Sequence, residues 1–367
     1  MWYTMYFLQI IITAVFFNVT KADRCGCKSM RPCYKRMLSQ LLLDDEDPCV
    51  ENVSVGVNTV TIFLKAIKSY CSNTVKVYEN FTTIENRNLY EVVINGTNPN
   101  IKEDESLPII VLEAGQDAST ETVAFALYVI EQLVACAENK EMIRNVRWVI
   151  LPSTNPDGTE YSRTKMEIWR KNCNNLNKKS YGVDVTRNFD ESWNVCPGNT
   201  NIFSPKYPGP APNSENETLF IINALNKYKS DIKTYISLRS DGHGIFYPYA
   251  NKNITFDSIE KVKKRAGDVA AKVNQRAGGL QWFVNDSIFN MNREALCGHS
   301  VDYAINRVSI PFSFEMRIFS KTDNDIMSEF QTLPKGHELT LRAGYFSGIR
   351  EIYNSIITEM KQKKHPK

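Results

Sequence analysis

The chain has 367 residues, near the upper limit for one hydrophobic core, so it holds one large domain or two smaller ones. Its 44 Lys and Arg residues against 41 Asp and Glu residues give a net charge of +3, and no basic stretch is interleaved with aromatic residues. This ordinary globular composition argues against nucleic acid as a partner.

The N-terminus has the features of a secretory signal peptide. Residues 5–17 form an apolar stretch too short to span a bilayer, and the small residues Thr20 and Ala22 suit cleavage before Asp23. No later stretch is long and apolar enough for a membrane helix. We therefore predict a signal peptide over residues 1–22 and a secreted, extracellular protein with no membrane partner; a retained N-terminal anchor is the alternative.

Cysteines and glycosylation sequons are also typical of a secreted protein. The chain has nine Cys residues, which an oxidising compartment would mostly pair, with one left over. Residues 23–49 form a short segment with four of them, where disulfides are favoured over zinc because Cys25-x-Cys27 is closer than the usual zinc spacing. Six Asn-x-Ser/Thr sequons that follow the predicted signal peptide predict glycosylation. Their asparagines are Asn52, Asn80, Asn95, Asn216, Asn253 and Asn285.

From about residue 50, helical and strand patterns alternate along the chain. The strand predicted at 109–115 is recognised by its continuous apolar run, which is typical of a buried parallel strand. The predicted helices are 57–70, 119–137, 215–228, 256–277 and 338–360. The predicted strands are a hairpin at 75–81 and 90–94, then 109–115, a strand within 145–158 that ends in a Pro-Asp-Gly turn, 234–240 and 308–317.

Alternating strands and helices predict an α/β fold with a mixed sheet covered on both faces. The chain has no internal repeat and no low-complexity linker, so one domain over residues 50–360 is the simpler prediction. Residues 361–367 are expected to form a basic tail.

Four blocks of sequence carry a resemblance to a known family. They read TNPDGTEYSRTKMEIWRKN (154–172), GVDVTRNFDESW (182–193), YISLRSDGHGIFYPYA (235–250) and FSFEMR (312–317). In this order and spacing they resemble the zinc carboxypeptidases of the digestive A/B type, peptidase M14, across residues 50–352. The resemblance implies a single α/β domain with a mixed, mostly parallel, twisted sheet, helices on both faces and an active site at the strand ends.

The resemblance also implies a zinc site, from which the sequence departs at every ligand position. The family has a His-x-x-Glu pair at the start of the helix after strand 109–115 and a second His in the strand at 234–240. The matching residues here are Asp117, Thr120 and Arg239. Thr is a poor zinc ligand and Arg stays protonated, so a single carboxylate remains and we expect no cofactor.

Glu315 matches the family's general base but has no metal-bound water to act on. One hypothesis is that the Arg239 guanidinium takes the place of the zinc and is held by Asp117 through charge-assisted hydrogen bonds, with Glu315 as a candidate second partner. The alternative is that the ligand positions have drifted, with Asp117 or Ser119 capping the helix.

Part of the family's carboxylate-binding set is retained. Arg170 and Arg187 match two of the Arg residues that grip the substrate's C-terminal carboxylate. Thr186 stands where the family has Asn, and Ser119 stands where it has another Arg. The alternative is that Arg170 and Arg187 make only structural salt bridges.

The resemblance implies three further features. Glu294 falls where the family has a flexible Tyr that covers the substrate. Val301 matches the specificity-pocket position and is apolar, as in members that prefer aromatic or aliphatic C-termini. Cys173 and Cys196 flank the 182–193 block much as a disulfide pair does in the family.

These residues predict a secreted, catalytically inactive carboxypeptidase-like protein that binds peptides with free C-termini or a secreted protein. An alternative is an active metallocarboxypeptidase with an unconventional zinc site, for which Asp117, His243 and His299 are the candidate ligands.

A third interpretation is a metal-free hydrolase that uses Glu315 with Ser119 or Ser240. It is disfavoured because no His is placed to act as the base for either Ser.

Overall fold

The computed structural model describes residues 55–96, 106–165, 168–176, 180–196, 201–253, 258–277, 282–319 and 337–364. The predicted signal peptide, the 23–49 segment and Asn52 lie outside the described residues. The last helix continues to Lys364, so the first part of the predicted basic tail is helical.

The predicted hairpin, buried strands and long helices are all present. The strands are β1 (Val75–Thr82), β2 (Asn88–Ile94), β3 (Ile109–Glu113), β4 (Arg147–Leu151), β5 (Asn175–Leu176), β6 (Ser180–Tyr181), β7 (Ile232–Arg239), β8 (Gly244–Tyr247), β9 (Val284–Ser287) and β10 (Phe312–Arg317). The helices are α1 (Val57–Tyr70), α2 (Thr120–Ala135), α3 (Lys140–Asn145), α4 (Pro156–Thr164), α5 (Asn216–Lys227), α6 (Ile259–Ala277), α7 (Ile288–Asn292), α8 (Ser300–Asn306) and α9 (His337–Lys364).

Eight strands form one mixed sheet in the order β1-β2-β4-β3-β7-β10-β8-β9. Its centre is parallel, because β3 pairs in parallel with β4 and with β7, and β7 pairs in parallel with β10. β1, β2 and β4 pair in antiparallel fashion at one side, as do β10 and β8 at the other. The predicted single α/β domain with a mixed sheet is confirmed, and the carboxyl ends of β3, β7 and β10 meet at one edge.

Two apolar cores lie on opposite faces of this sheet. Along β4, Trp148 and Ile150 belong to one core, whereas Val149 and Leu151 belong to the other, because successive residues of a strand point to opposite faces. Helices α1, α2, α6 and α9 contribute to the first core, and α5 and α8 contribute to the second. Helices therefore cover both faces, as predicted.

The Pro-Asp-Gly motif does not form the predicted turn. It forms the first turn of α4, in which Asn155 is the N-cap and its side chain accepts a hydrogen bond from the Gly158 N–H at 3.0 Å. Pro156 occupies the first helical turn, where its missing N–H has no helical partner to lose and its φ already suits a helix. The prediction was wrong because the same residues that favour a turn also favour a helix start.

The predicted Cys173–Cys196 disulfide is also wrong. Cys196 is bonded to Cys297, with the two Cα atoms 5.7 Å apart. Cys173 is a buried free thiol in a segment held in the interior, because the neighbouring Asn172 donates a hydrogen bond to Glu215 at 2.7 Å. The bond that forms joins the loop after the 182–193 block to the loop that precedes α8.

Four of the sequon asparagines, namely Asn80, Asn216, Asn253 and Asn285, are exposed, and Asn95 is partly buried. Within the described ranges, every helix falls short of the length or apolar character that crossing a membrane requires.

We expect non-reducing peptide mapping to recover Cys196 linked to Cys297. Cys173 is expected to react with iodoacetamide only after unfolding, since burial raises the pKa of its thiol to about 12 and thiolate is the reactive form. Mass spectrometry of protein alkylated before and after denaturation tests both points. Recovery of a Cys173–Cys196 peptide would contradict the structure.

Candidate functional site

The site begins where β3 turns into α2. Gly115, with φ of 85°, bends the chain after the strand, and an added Cβ there would meet the Val123 side chain at 3.0 Å. Ser119 is the N-cap of α2, and its Oγ accepts a hydrogen bond from the Thr122 N–H at 3.2 Å. The capping role proposed in the drift alternative is therefore confirmed for Ser119.

Asp117 lies between these two residues with its side chain fully buried. Its Oδ2 atom accepts hydrogen bonds from the N–H and the Oγ–H of Ser240, both at 2.8 Å. The Nη2 atom of Arg170 lies 3.5 Å from the same oxygen. Asp117 thus ties the end of β3 to the residue that follows β7.

Arg239 ends β7 and is 3% exposed. Its Nη2 atom donates hydrogen bonds to Gln116 Oε1 at 2.6 Å and to Ser300 Oγ at 3.3 Å. Its Nε atom lies 4.0 Å from the nearer oxygen of Glu315, beyond hydrogen-bond distance, and Asp117 is not within ion-pair distance. The hypothesis that these two carboxylates hold Arg239 directly is wrong, because the nearer acceptors of the guanidinium are the neutral oxygens of Gln116 and Ser300.

A second layer of polar groups lies behind Gln116. Its Nε2 atom donates a hydrogen bond at 2.7 Å to Glu113, a fully buried carboxyl at the end of β3. Glu113 also accepts hydrogen bonds from Thr154 and Ser237, each at 2.8 Å. Burial raises the pKa of Glu113, while Arg239 and these hydroxyls lower it. Gln116 therefore links the buried cation to a buried carboxyl.

Glu315 lies on β10, which is adjacent to β7. Its Oε2 atom is 2.8 Å from His299 Nε2, and its Oε1 atom is 2.5 Å from Arg317 Nε. Although burial raises the pKa of Glu315, the nearby Arg317, His299 and Arg239 hold it well below the ordinary value. His299 Nδ1 accepts a hydrogen bond from the Val301 N–H, so Nε2 carries the proton and donates to Glu315.

Arg170 and Arg187 are engaged by carboxylates of the chain itself. Arg170 pairs with Asp241 and with Asp117. Arg187 lies 3.1 Å from Asp184 and 3.8 Å from Glu294. Both residues make the structural salt bridges of the alternative interpretation.

Glu294 and Thr186 also have partners within the protein. Glu294 pairs with Lys206 at 2.7 Å, and this hydrogen bond lowers its pKa. The Thr186 hydroxyl donates to Asp184 at 2.6 Å.

Two cavities meet at this edge of the sheet. The inner cavity, of about 320 Å³, is lined by five cationic side chains and four carboxylates, among them Arg239, Glu315 and Arg187. The outer cavity, of about 660 Å³, is lined by Thr120, Trp169 and other residues of the α2 and α4 ends. Asp117 and Arg170 line both cavities, so the two are adjacent. Together they have the size of a site for a short peptide.

Val301 does not contribute to either cavity. It is completely buried and belongs to the core beneath α8. The apolar pocket floor predicted from Val301 is therefore replaced, in the inner cavity, by a lining that is mostly charged.

The family model described as Zinc carboxypeptidase matches residues 60–341. The chain belongs to the zinc carboxypeptidase family. It is 30% identical over 260 residues to zinc carboxypeptidase A 1 of Drosophila melanogaster, covering 70% of this chain and 59% of that protein. It is 30% identical over 182 residues to human mast cell carboxypeptidase A, covering 48% and 42%. The matches span less than two thirds of either relative.

Two solved structures share the fold. Bovine thrombin-activatable fibrinolysis inhibitor, in complex with tick carboxypeptidase inhibitor, superimposes with a TM-score of 0.73 at 19% identity, covering 84% of this chain and 99% of that one. Carboxypeptidase A of Helicoverpa armigera gives a TM-score of 0.72 at 21% identity, covering 89% and 81%.

The side chains at the three positions where the resemblance implies zinc ligands do not fit a zinc ion. Arg239 brings a fixed positive charge to the strand end, and Asp117 already accepts two hydrogen bonds from Ser240. Thr120 is a neutral, half-buried residue in the outer cavity. In the part of the chain that the structure describes, no group of three His, Cys, Asp or Glu residues has a geometry that holds a metal.

The other candidate residues are not assembled for catalysis. His243 packs against Phe283 and Tyr345 and lies 2.8 Å from the Tyr345 hydroxyl, so it does not join His299 and Asp117 in a ligand set. Ser119 donates its hydroxyl proton to Glu121. Ser240 donates its hydroxyl proton to Asp117. Neither Ser pairs with Glu315 or with a His among these bonds.

Several residues of the site were not singled out from the sequence, among them Arg317, Gln116 and Ser300. Arg317 follows Glu315 by two positions on one strand, and this period-2 spacing was the available signal. Gln116 is a polar residue directly after a strand and beside Asp117, which was a weaker signal. No sequence pattern connects Ser300 with Arg239, because the two lie 61 residues apart.

Replacing Glu315 with Gln is expected to lower the free energy of unfolding by about 3 kcal/mol at pH 7, because the partly buried Arg317 would lose its paired carboxylate and His299 would lose a charged acceptor. The matched control is Glu294→Gln. Its carboxylate is 51% exposed, so we expect a change below about 1 kcal/mol. Urea denaturation measures both values.

The difference in the free energy of unfolding between wild type and Glu315→Gln should also depend on pH. Because the folded-state pKa of Glu315 lies below the ordinary 4.5, its stabilising effect is complete above pH 4.5 and decreases as the pH falls below that value. Equal losses for the two variants, or a difference that grows in acid, would contradict the assigned ion pairs.

Proposed function

We propose that this protein is a secreted member of the zinc carboxypeptidase family that binds peptides, or C-terminal segments of secreted proteins, without cleaving them. The observation that carries the proposal is the buried guanidinium of Arg239, held by Gln116 and Ser300 at the strand end where the family has a metal ligand.

The energetics of peptide hydrolysis support the non-catalytic part. Bound zinc lowers the pKa of water from about 16 to about 7, which is worth roughly 12 kcal/mol of nucleophile activation. Glu315 does not supply this activation, because its carboxylate is already engaged by His299 and Arg317. Its lowered pKa also makes it a weak base.

The shape and charge of the site support the binding part. The inner cavity has space for about one residue, and the adjoining outer cavity has space for the residues that precede it. The inner lining carries one more positive than negative side chain, which favours an anionic group such as a terminal carboxylate.

Secretion is supported by the apolar N-terminal stretch and by the cysteines. Cys196 and Cys297 are joined, and Cys136 is also disulfide-bonded, as is usual in oxidising compartments. Four exposed sequon asparagines agree with this placement.

Zinc content tests the proposed loss of catalysis. We expect close to zero zinc per mole in wild-type protein purified from the culture medium without chelators, measured by mass spectrometry of bound metal. The matched variant Asp117→His/Thr120→Glu/Arg239→His restores the family's ligand types and should raise the ratio towards one. A wild-type ratio near one, with chelator-sensitive release of C-terminal residues, would instead support the alternative of an active metallocarboxypeptidase.

Peptide binding tests the proposed activity. We expect acetylated tetrapeptides ending in Phe, Leu, Lys or Glu to bind the wild type in isothermal titration calorimetry and to be recovered intact. Their C-terminal amides should bind at least about tenfold more weakly, because a hydrogen bond to a charged group contributes about 1.5–3 kcal/mol. Equal binding of acids and amides would contradict recognition of a free C-terminus.

A further inference from the structure

The charges of the inner cavity are not evenly paired. Of its cations, Arg187 lies 3.1 Å from Asp184, Lys206 lies 2.7 Å from Glu294, and Arg317 lies 2.5 Å from Glu315. Arg170 pairs with Asp241 and Asp117. Counting the described residues, Arg239 alone among the cations lining this cavity has no carboxylate oxygen closer than 4.0 Å. The surplus positive charge of the inner cavity therefore resides on Arg239.

Arg239 also has unused hydrogen-bond donors. Its Nη2 atom is engaged by Gln116 and Ser300, but among the described residues neither Nε nor Nη1 has an acceptor. The side chain is 4% exposed and lines the inner cavity. Buried donors without an acceptor are costly, which makes an acceptor from a ligand favourable at this position.

Asp117 provides the complementary group. Its Oδ1 atom is buried and has no hydrogen-bond partner among the described residues, whereas Oδ2 is fully engaged. Gln116 accepts a hydrogen bond from Arg239, and the neighbouring Asp117 accepts one from Ser240, so the segment after β3 and the end of β7 lie side by side. The side chains of Arg239 and Asp117 both line the inner cavity. The wall thus presents cationic donors next to an anionic acceptor.

We propose that Arg239 binds the terminal carboxylate of the ligand and that Asp117 Oδ1 accepts a hydrogen bond from the adjacent backbone N–H, so that the inner cavity holds the C-terminal residue of a peptide. This inference rests on the proposed function and deepens it. It places the carboxylate on Arg239 and not on Arg170 or Arg187, because the latter two already have carboxylate partners. A free amino acid also has a carboxylate and an adjacent N–H donor, but the adjoining outer cavity favours a longer chain.

The experiment compares three variants with the wild type, using the four tetrapeptides and their amides in calorimetry. Arg239→Gln should weaken binding of the acids at least about tenfold, since a hydrogen bond to a charged group is lost, and bring the acid-to-amide ratio of affinities close to one. Arg187→Gln tests the competing anchor and should leave that ratio at its wild-type value. Arg276→Gln, on the exposed face of α6, controls for the loss of one positive charge far from the site.

A second measurement isolates the carboxylate site from peptide binding. Sodium acetate should raise the Tm of the wild type above its value in sodium chloride at equal ionic strength, and it should not do so for Arg239→Gln. If Arg239→Gln fails to fold, Arg239→Lys replaces it. That variant keeps the charge but loses the planar set of donors, and we expect at least threefold weaker binding of the acids with unchanged binding of the amides.

The outcomes separate this inference from the proposed function. Loss of the acid preference in Arg187→Gln but not in Arg239→Gln would overturn the inference and leave the proposed function standing. If acetate stabilises the wild type through Arg239 while no peptide binds, the carboxylate site is retained, whereas the peptide ligand and the proposed function are both overturned. Free leucine binding as tightly as the tetrapeptide ending in Leu would overturn the assignment of a peptide.

Discussion

The constraint on which this site depends is the burial of a guanidinium at the end of β7, between two parallel strand neighbours. Taking an ion out of water costs several kcal/mol unless its hydrogen bonds are replaced. Around Arg239 the replacement is made in layers, with the oxygens of Gln116 and Ser300 in contact and the carboxyl of Glu113 one step behind. The charge is thus compensated mainly at a distance, which leaves part of the guanidinium facing the inner cavity.

The rest of the site follows from this arrangement, because each carboxylate has a partner other than Arg239. Glu315 is held by Arg317 and His299, and Asp117 is held by Ser240. These groups lie at or near the carboxyl ends of β3, β7 and β10. The strand ends are therefore connected by local ion pairs and hydrogen bonds that surround the buried cation Arg239.

The fold was largely predictable, whereas the contacts of the site were not. Continuous apolar runs such as that of β3 are read directly as buried strands, since both faces of such a strand must be covered. The Pro-Asp-Gly motif was misread because turns and helix starts favour the same residues, and only the hydrogen bond from Gly158 to Asn155 distinguishes them. The pairing of Cys196 with Cys297 spans 101 residues and leaves no local signal.

By itself, the sequence determined the family, the α/β class and which residue types stand at the strand ends, because these depend on motif order and on local apolar periodicity. It also determined that Asp117, Thr120 and Arg239 are a poor donor set for zinc, since this follows from side-chain chemistry alone. Only the tertiary structure decided that Arg239 turns to Gln116 and Ser300, and that Val301 points into the core. Hydrogen-bond partners depend on differences of a few ångströms between segments distant in the chain, and those distances exist only after the sheet and its loops have packed.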